Sequence, residues 1–392
     1  MNRKIIFSLI VGLVAWPSAA VAQIRITNGP WLTDMSETGV TVMWKTDKPA
    51  MAWVEYGERK GDTFYAEEHP TAYDVLDGRR RVMDTLHCVR LEGLKPGKEY
   101  FYRIFSKETV RYGDYGKMEF GKTVASSANY DGPTHFRTFD PKAKTVRFAV
   151  MNDIHENPER IRELCSKIDF SDIDFVLLNG DMLSTVNDDA QVYTAFIDAC
   201  VEAFAKSVPI VYTRGNHETR GAYTDELHKY FPNSHPQHQW FGSFNVGDVN
   251  FLILDCGEDK PDSNYEYSGM AEFDAYRVKE AEWLKSEVGK KEDANKVRIV
   301  ALHIPPMTSG WHGNLHLRET LMPVLNHAGV DLMLSGHTHR HSLVEPSSDQ
   351  KFPNLVNDNA SIMVVEAGKG GITVDIHGNT EKSYNFKTNN KR

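Results

Sequence analysis

From Ile24 to about Asp140 the chain reads in short runs of alternating apolar and polar residues. "GVTVMWKT" alternates cleanly and "AMAWVEYG" less so; "HCVRLEGL" and "EYFYRIFS" follow. A period of two marks half-buried strands, and strands at this spacing with turn residues between them predict an all-β sandwich. "LKPGKEY", Leu94 to Tyr100, sets a tyrosine at the start of a strand just after a Pro-Gly turn, as a tyrosine corner does. Trp44, on an early strand, is expected to fill the core. "FDPKAKTV", Phe139 to Val146, reads as a short polar linker.

Beyond it the pattern changes. Continuous apolar runs, "VRFAVMND", "DFVLLNGD", "PIVYTRGNH", "VNFLILDCG", "VRIVALH" and "VDLMLSGHTH", are interspersed with helical stretches. Among these are "NPERIRELCSKI", "QVYTAFIDACVEAFAKS" and the amphipathic "EFDAYRVKEAEWLKSEV". Buried runs alternating with helices predict an α/β domain. The last residues, "TEKSYNFKTNNKR", read as an edge strand and a frayed tail.

Five of the six runs stop in polar chemistry: Asp153 and His155, then Gly180-Asp181, then Gly215-Asn216-His217-Glu218, then His303, then Gly336-His337-Thr338-His339. The carboxyl ends of strands in an α/β sheet face a common crevice, so these residues can converge. Carboxylates, imidazoles and an amide oxygen suit divalent first-row metals. Arg214 and Arg220 flank the Gly-Asn-His block and are candidates to meet an anion. Trp311 and His312, in the loop "PPMTSGWHGN", are candidates to line a pocket. His235 and His238 read as loop residues and Trp240 as core.

Composition narrows the picture. A net charge of −9 without a dense basic block argues against a nucleic-acid backbone as partner. Residues 1–22 combine a basic Asn2-Arg3-Lys4 start, an apolar stretch of twelve and an Ala20-Val21-Ala22 site. That pattern reads as a cleavable export leader, which predicts a periplasmic or secreted chain with no membrane attachment after cleavage. The four cysteines, Cys88, Cys165, Cys200 and Cys256, form no C-x-x-C pair and are expected to be free thiols, although export permits disulfides.

The order D-x-H, G-D, G-N-H-E, H, G-H-x-H resembles the calcineurin-like metallophosphoesterases, over about residues 145–377. "ITNGPWLT", "VEYG" and the Leu-x-Pro-Gly-x-x-Tyr turn resemble the fibronectin type III-like domain that precedes the catalytic domain of purple acid phosphatases. The resemblance implies an α/β fold: a central β-sandwich of two mixed sheets flanked by helices, preceded by an all-β sandwich. The corresponding divisions are a leader at 1–22, the sandwich at 23–140 and the catalytic domain at 145–385.

It also implies a dinuclear site for two divalent transition metals, Fe, Mn or Zn. One would be held by Asp153, His155, Asp181 and His339, the other by Asp181, Asn216, His303 and His337. A metal-bridging hydroxide would attack phosphorus, with His217 protonating the leaving group and Glu218 orienting ligands. The chain departs from purple acid phosphatases at two points. His155 replaces the glycine of the first block, and Ser184 stands where those enzymes carry a tyrosine ligand. The implied function is an exported phosphoesterase acting on a small phosphate ester. The alternatives are a phosphodiesterase or nucleotidase on the same site, or a binding protein carrying a decayed hydrolase. Decay should remove a ligand, and every block is present.

Overall fold

The computed structural model describes residues 23–61, 63–66, 68–127, 134–232 and 240–389. The leader assigned to residues 1–22, and His235 and His238, lie outside them.

Two mixed sheets face each other in the second half. One contains Lys382–Phe386, Gly371–Gly378, Ser361–Gly368, Thr145–Met151, Phe175–Asn179 and Ile210–Thr213, in that order. The other runs Gly242–Val246, Val249–Leu254, Val297–Leu302, Leu332–Ser335, Asn354–Val356 and Ser342–Val344. The central strands are parallel and in register. Met151 pairs with Leu178 and Asn179 with Thr213 in the first sheet, and Leu254 pairs with Leu302 in the second. Strands matched in this way end together, so the polar residues that follow them emerge at one edge.

Phe148, Phe175 and Phe251 fill the space between the sheets, with ring centroids 4.8–5.3 Å apart. Helix Pro158–Cys165 and the helical stretch from Asp189 to Ala205 cover the outer face of the first sheet. Helices Phe273–Val288, His312–Thr320 and Met322–Leu325 cover the second. The expected helices and the expected C-terminal edge strand are all present.

In the first half, strands Thr134–Arg137, Glu99–Tyr112, Ala50–Glu58 and Thr71–Tyr73 form one sheet, with Met118–Ala125 added to Glu99–Tyr112. Trp44 is fully buried and its Nε1–H donates to Ser106 Oγ at 2.9 Å. The tyrosine corner is formed: the Lys95 N–H donates to Tyr100 Oη at 2.8 Å.

Val75–Leu76 and Arg79–Arg80 form a small ribbon, while Ile26–Thr33, Val40–Thr46 and Leu86–Leu91 extend the first of the two facing sheets to nine strands, with Thr33 parallel to Ile210. Local periodicity does not reveal this continuity. The linker reading of Phe139 to Val146 also needs correcting. Phe139 is 3% exposed and stacks on Phe244, so the connection is pinned by a buried aromatic. Burying such a ring stabilises by about 1.5–3 kcal/mol. All four cysteines are free thiols, three of them buried.

Candidate metal centre

Five of the converging residues sit in left-handed backbone: Asp153 (φ 54°), His155 (47°), Asp181 (56°), His337 (68°) and His339 (55°). Each costs on the order of 1–3 kcal/mol, which the surroundings must offset. They do so through cross-ties between the loops. Asp153 N donates to Gly180 O at 3.0 Å, His155 N to Asp181 O at 3.1 Å and Gly336 N to His303 O at 2.9 Å. His337 N donates to Asp153 Oδ2 at 2.8 Å and His217 N to Asp181 Oδ1 at 3.0 Å. Two glycines permit the approach. A Cβ at Gly215 would lie 2.1 Å from Asp181 Oδ1, and one at Gly336 would lie 2.7 Å from Asp153 Oδ2.

The loops bring together two sets of ligand-type atoms. Asp153, His155 and His339 form one, and Asp181, His303 and His337 the other, each with atoms mutually within 4.8 Å. Asn216 Oδ1 joins the second at 3.0 Å from His337 Nδ1. Asp181 also lies within 4.8 Å of His155 and His217.

The donor set fits a pair of cations. Asp153 Oδ1 is buried and accepts no well-aligned hydrogen bond. Three ring nitrogens surround it, His339 Nε2 at 3.3 Å and His155 and His303 Nε2 at 3.9 Å. His155 and His339 turn Nε2 atoms toward each other at 3.1 Å. Two buried carboxylates facing inward-turned imidazoles are costly unless a positive charge joins them. Without one, burial disfavours a charged His303, but Asp181 and then Asp153 outweigh it and push its pKa up to about 10. Burial, and then His303, lower His337 to about 4.

Surrounding groups fix the ligands. His303 Nδ1–H donates to Asn179 O at 2.7 Å. His217 Nδ1 lies 2.9 Å from Ser184 O and 3.4 Å from Arg220 Nη1. A carbonyl only accepts, so Nδ1 carries the proton and the arginine contact is not a hydrogen bond. Glu218 is fully buried and accepts from three backbone N–H groups, of Asp181 and Gly215 at 2.9 Å and Leu183 at 3.1 Å. Burial, and then the Asp181 charge, push its pKa upward.

Four sequence candidates for anion binding or pocket lining have the following surroundings. Arg214 is paired with Asp255 at 2.5 Å and lies over the rings of Trp240 and Tyr276, which commits its guanidinium to a buried cluster. Arg220 holds Glu258 with two parallel bonds of 2.6 and 2.8 Å through Nε and Nη2, and its Nη1 lies on the His217 side. His312 Nε2 lies 2.8 and 2.9 Å from the two Asp274 oxygens. Trp311 is 55% exposed and faces solvent. Two residues not singled out as contributors, Glu156 and Ser184, stand against the site. Ser184 Oγ lies 3.2 Å from His155 Nδ1 and donates to Glu156 Oε2 at 2.7 Å. An acid directly after a candidate ligand was the only local signal.

Comparison with known proteins agrees with this geometry. The family profile "Calcineurin-like phosphoesterase" matches residues 146–341, and "Purple acid Phosphatase, N-terminal domain" matches residues 25–138. Purple acid phosphatase 15 of Arabidopsis thaliana is 24% identical over 79% of this chain and 60% of its own length. Acid phosphatase type 7 of Mus musculus is 24% identical over 80% of this chain and 70% of its own length. The chain therefore spans between three fifths and seven tenths of these curated relatives. Purple acid phosphatase PPD1 from yellow lupin (Lupinus luteus) seeds superposes with a TM-score of 0.63 over 92% of this chain and 73% of its own, at 14% identity, a likeness of fold. The chain belongs to the calcineurin-like phosphoesterase family of metal-dependent phosphoester hydrolases, with a purple acid phosphatase N-terminal domain ahead of the catalytic half.

Proposed function

We propose that the chain hydrolyses small phosphate esters at the site between Asp153 and His339. The observation that carries this is Asp153 Oδ1, buried without a well-aligned donor and ringed by imidazole nitrogens. Asp153, His155 and His339 would hold one divalent ion and Asn216, His303 and His337 the other, with Asp181 shared between them. Ions bound there supply Lewis acidity toward a phosphoryl oxygen and an activated water.

The chain's own residues do the rest. Glu218 holds the backbone of Gly215 and Asp181 so that both loops stay in register. His217 gives its Nδ1–H to Ser184 O, which leaves Nε2 facing the reaction; with a second proton on Nε2, the imidazolium would pass that proton to the departing oxygen and return to the neutral Nδ1–H form. His339, with 46% of its side chain exposed, marks the open side by which an ester enters.

The export reading belongs to this proposal and rests on the sequence of residues 1–22. No helix among the described residues is long and apolar enough to cross a membrane.

The test is a rate panel of monoester, diester and nucleotide substrates, with Mn, Zn, Fe, Co and Ni added singly. Monoester turnover that depends on added metal is expected. Preference for a diester or nucleotide would move the substrate class. No turnover together with less than one bound metal per chain would favour the decayed-hydrolase reading.

A further inference from the structure

We propose that Ser184, held by Glu156, is a positioning residue that sets the ring tautomers of both His155 and His217. The inference rests on the dimetal reading only for its consequence, and the geometry stands apart from any ion.

Glu156 grips Ser184 twice. Its carboxylate accepts the Ser184 N–H at 2.6 Å and the Ser184 hydroxyl at 2.7 Å. Gln191 Nε2 adds a third donor at 3.3 Å. A carboxylate accepts only, so the single hydroxyl proton of Ser184 is committed to Glu156. Ser184 Oγ therefore has only lone pairs to offer His155 Nδ1, 3.2 Å away. Nδ1 of His155 must carry the proton, and Nε2 is left bare. Nε2 is the atom turned toward Asp153 Oδ1 and His339 Nε2.

The other end of the same residue treats His217 likewise. Ser184 O lies 2.9 Å from His217 Nδ1 and accepts its proton. The rings of His155 and His217 meet edge to face with centroids 4.9 Å apart, so one serine sits behind both. Glu156 is itself left-handed (φ 54°), and its N–H donates to Met182 O at 3.0 Å. The Glu156–Ser184 contact thus ties the loop after Thr145–Met151 to the loop after Phe175–Asn179. The hydroxyl is the chain's own way of orienting His155, and removing such outer partners typically costs about 10–100-fold in metal affinity.

The two functions of Ser184 separate by substitution. Ser184→Ala removes the hydroxyl acceptor behind His155 but keeps the carbonyl behind His217, and Ser184→Thr restores the hydroxyl. The first measurement is long-range proton–nitrogen NMR correlation of the imidazoles in metal-free protein, at a pH where both rings are neutral. Wild type should show the Nδ1–H tautomer at His155 and His217. In Ser184→Ala, His155 should lose that preference while His217 keeps it. An unchanged His155 tautomer would overturn the proposal.

The second measurement is calorimetric titration with Mn²⁺. Ser184→Ala should weaken one of two binding events about 10–100-fold, with Ser184→Thr within a few-fold of wild type. Two wild-type affinities in Ser184→Ala would overturn the proposal. A wild-type chain that takes up no ion overturns the dimetal reading instead, and the tautomer result still decides the assignment of Ser184.

Discussion

Gly215→Ala adds one methyl group at the centre of the site. The built Cβ would lie 2.1 Å from Asp181 Oδ1 and 2.5 Å from Asp181 N. The second contact is to backbone, so a side-chain rotation cannot relieve both. Gly215 does not need a left-handed backbone, so the effect is steric. Restoring ordinary contact requires Asp181 and the Gly215 turn to separate by roughly 1 Å, and overpacking of this kind costs about 1–3 kcal/mol. A shift of about 1 Å at a group that positions reacting atoms costs on the order of 100-fold in rate. The expected result is a folded protein with a modest loss of stability, less bound metal and at least a hundredfold lower turnover. The assays are thermal unfolding, metal content by mass spectrometry and monoester hydrolysis at saturating metal. Gly370→Ala is the control, since a Cβ there meets nothing within 4 Å. Wild-type metal content and rate in Gly215→Ala would refute the reasoning.

His217→Ala should retain both metals and lose about 10²–10⁴-fold in turnover of alkyl esters, with a smaller loss for a nitrophenyl ester, which needs little protonation; equal losses would reassign His217 to phosphate binding. Tyr100→Phe leaves the Lys95 N–H without its acceptor and should cost about 1–2 kcal/mol in chemical denaturation; an unchanged midpoint would mean water replaces the hydroxyl. His87 is buried, and burial first, then Arg81, push its pKa down to about 3. Below its ordinary 6.5 the unfolded chain binds a proton that the fold refuses, so stability should fall by up to ~1.4 kcal/mol per pH unit from about 6.5 towards 3. His87→Gln should flatten that acid limb in urea midpoints measured between pH 7 and 5; parallel slopes for variant and wild type would count against it.

The catalytic half was legible because its chemistry sits at fixed positions relative to apolar strands. Asp153, Asp181, Asn216 and His303 each follow a continuous buried run, and parallel register then carries them to one edge. The tyrosine corner was legible for the same reason, since the turn and the ring lie within seven residues. The arginines were not. Arg214 and Arg220 lie beside the motif in sequence, but Asp255 and Glu258, from a different strand end, claim them. A local pattern does not disclose which distant acid pairs with an arginine. Glu156 went unnoticed, and Ser184 was noted only as standing where a tyrosine ligand is missing, because both act on the far side of the imidazoles, where no spacing rule applies.

The nine-stranded sheet gives the first half of the chain a part in the site although it has no site residue. Ile210–Thr213, which leads directly into Gly215-Asn216-His217, would otherwise be an edge strand. Edge strands present unpaired backbone groups and need cover. Ile26–Thr33 supplies it, through the Thr33–Ile210 pairing and a Thr33 hydroxyl that donates to Ile210 O at 3.3 Å. Further ties flank the contact: Trp31 Nε1 to Tyr230 O at 3.1 Å, Tyr102 Oη to Lys206 O at 2.7 Å and Asn28 Nδ2 to Asp198 at 3.0 Å. Leu32, Trp44 and Tyr102 lie in the same apolar cluster as Phe148, Phe175 and Phe251. The strand is paired along one edge and anchored at Ile210 on the other, which fixes where the run into Asn216 begins. The strained loops then have a rigid base to work against, which is the condition for keeping five left-handed residues in place.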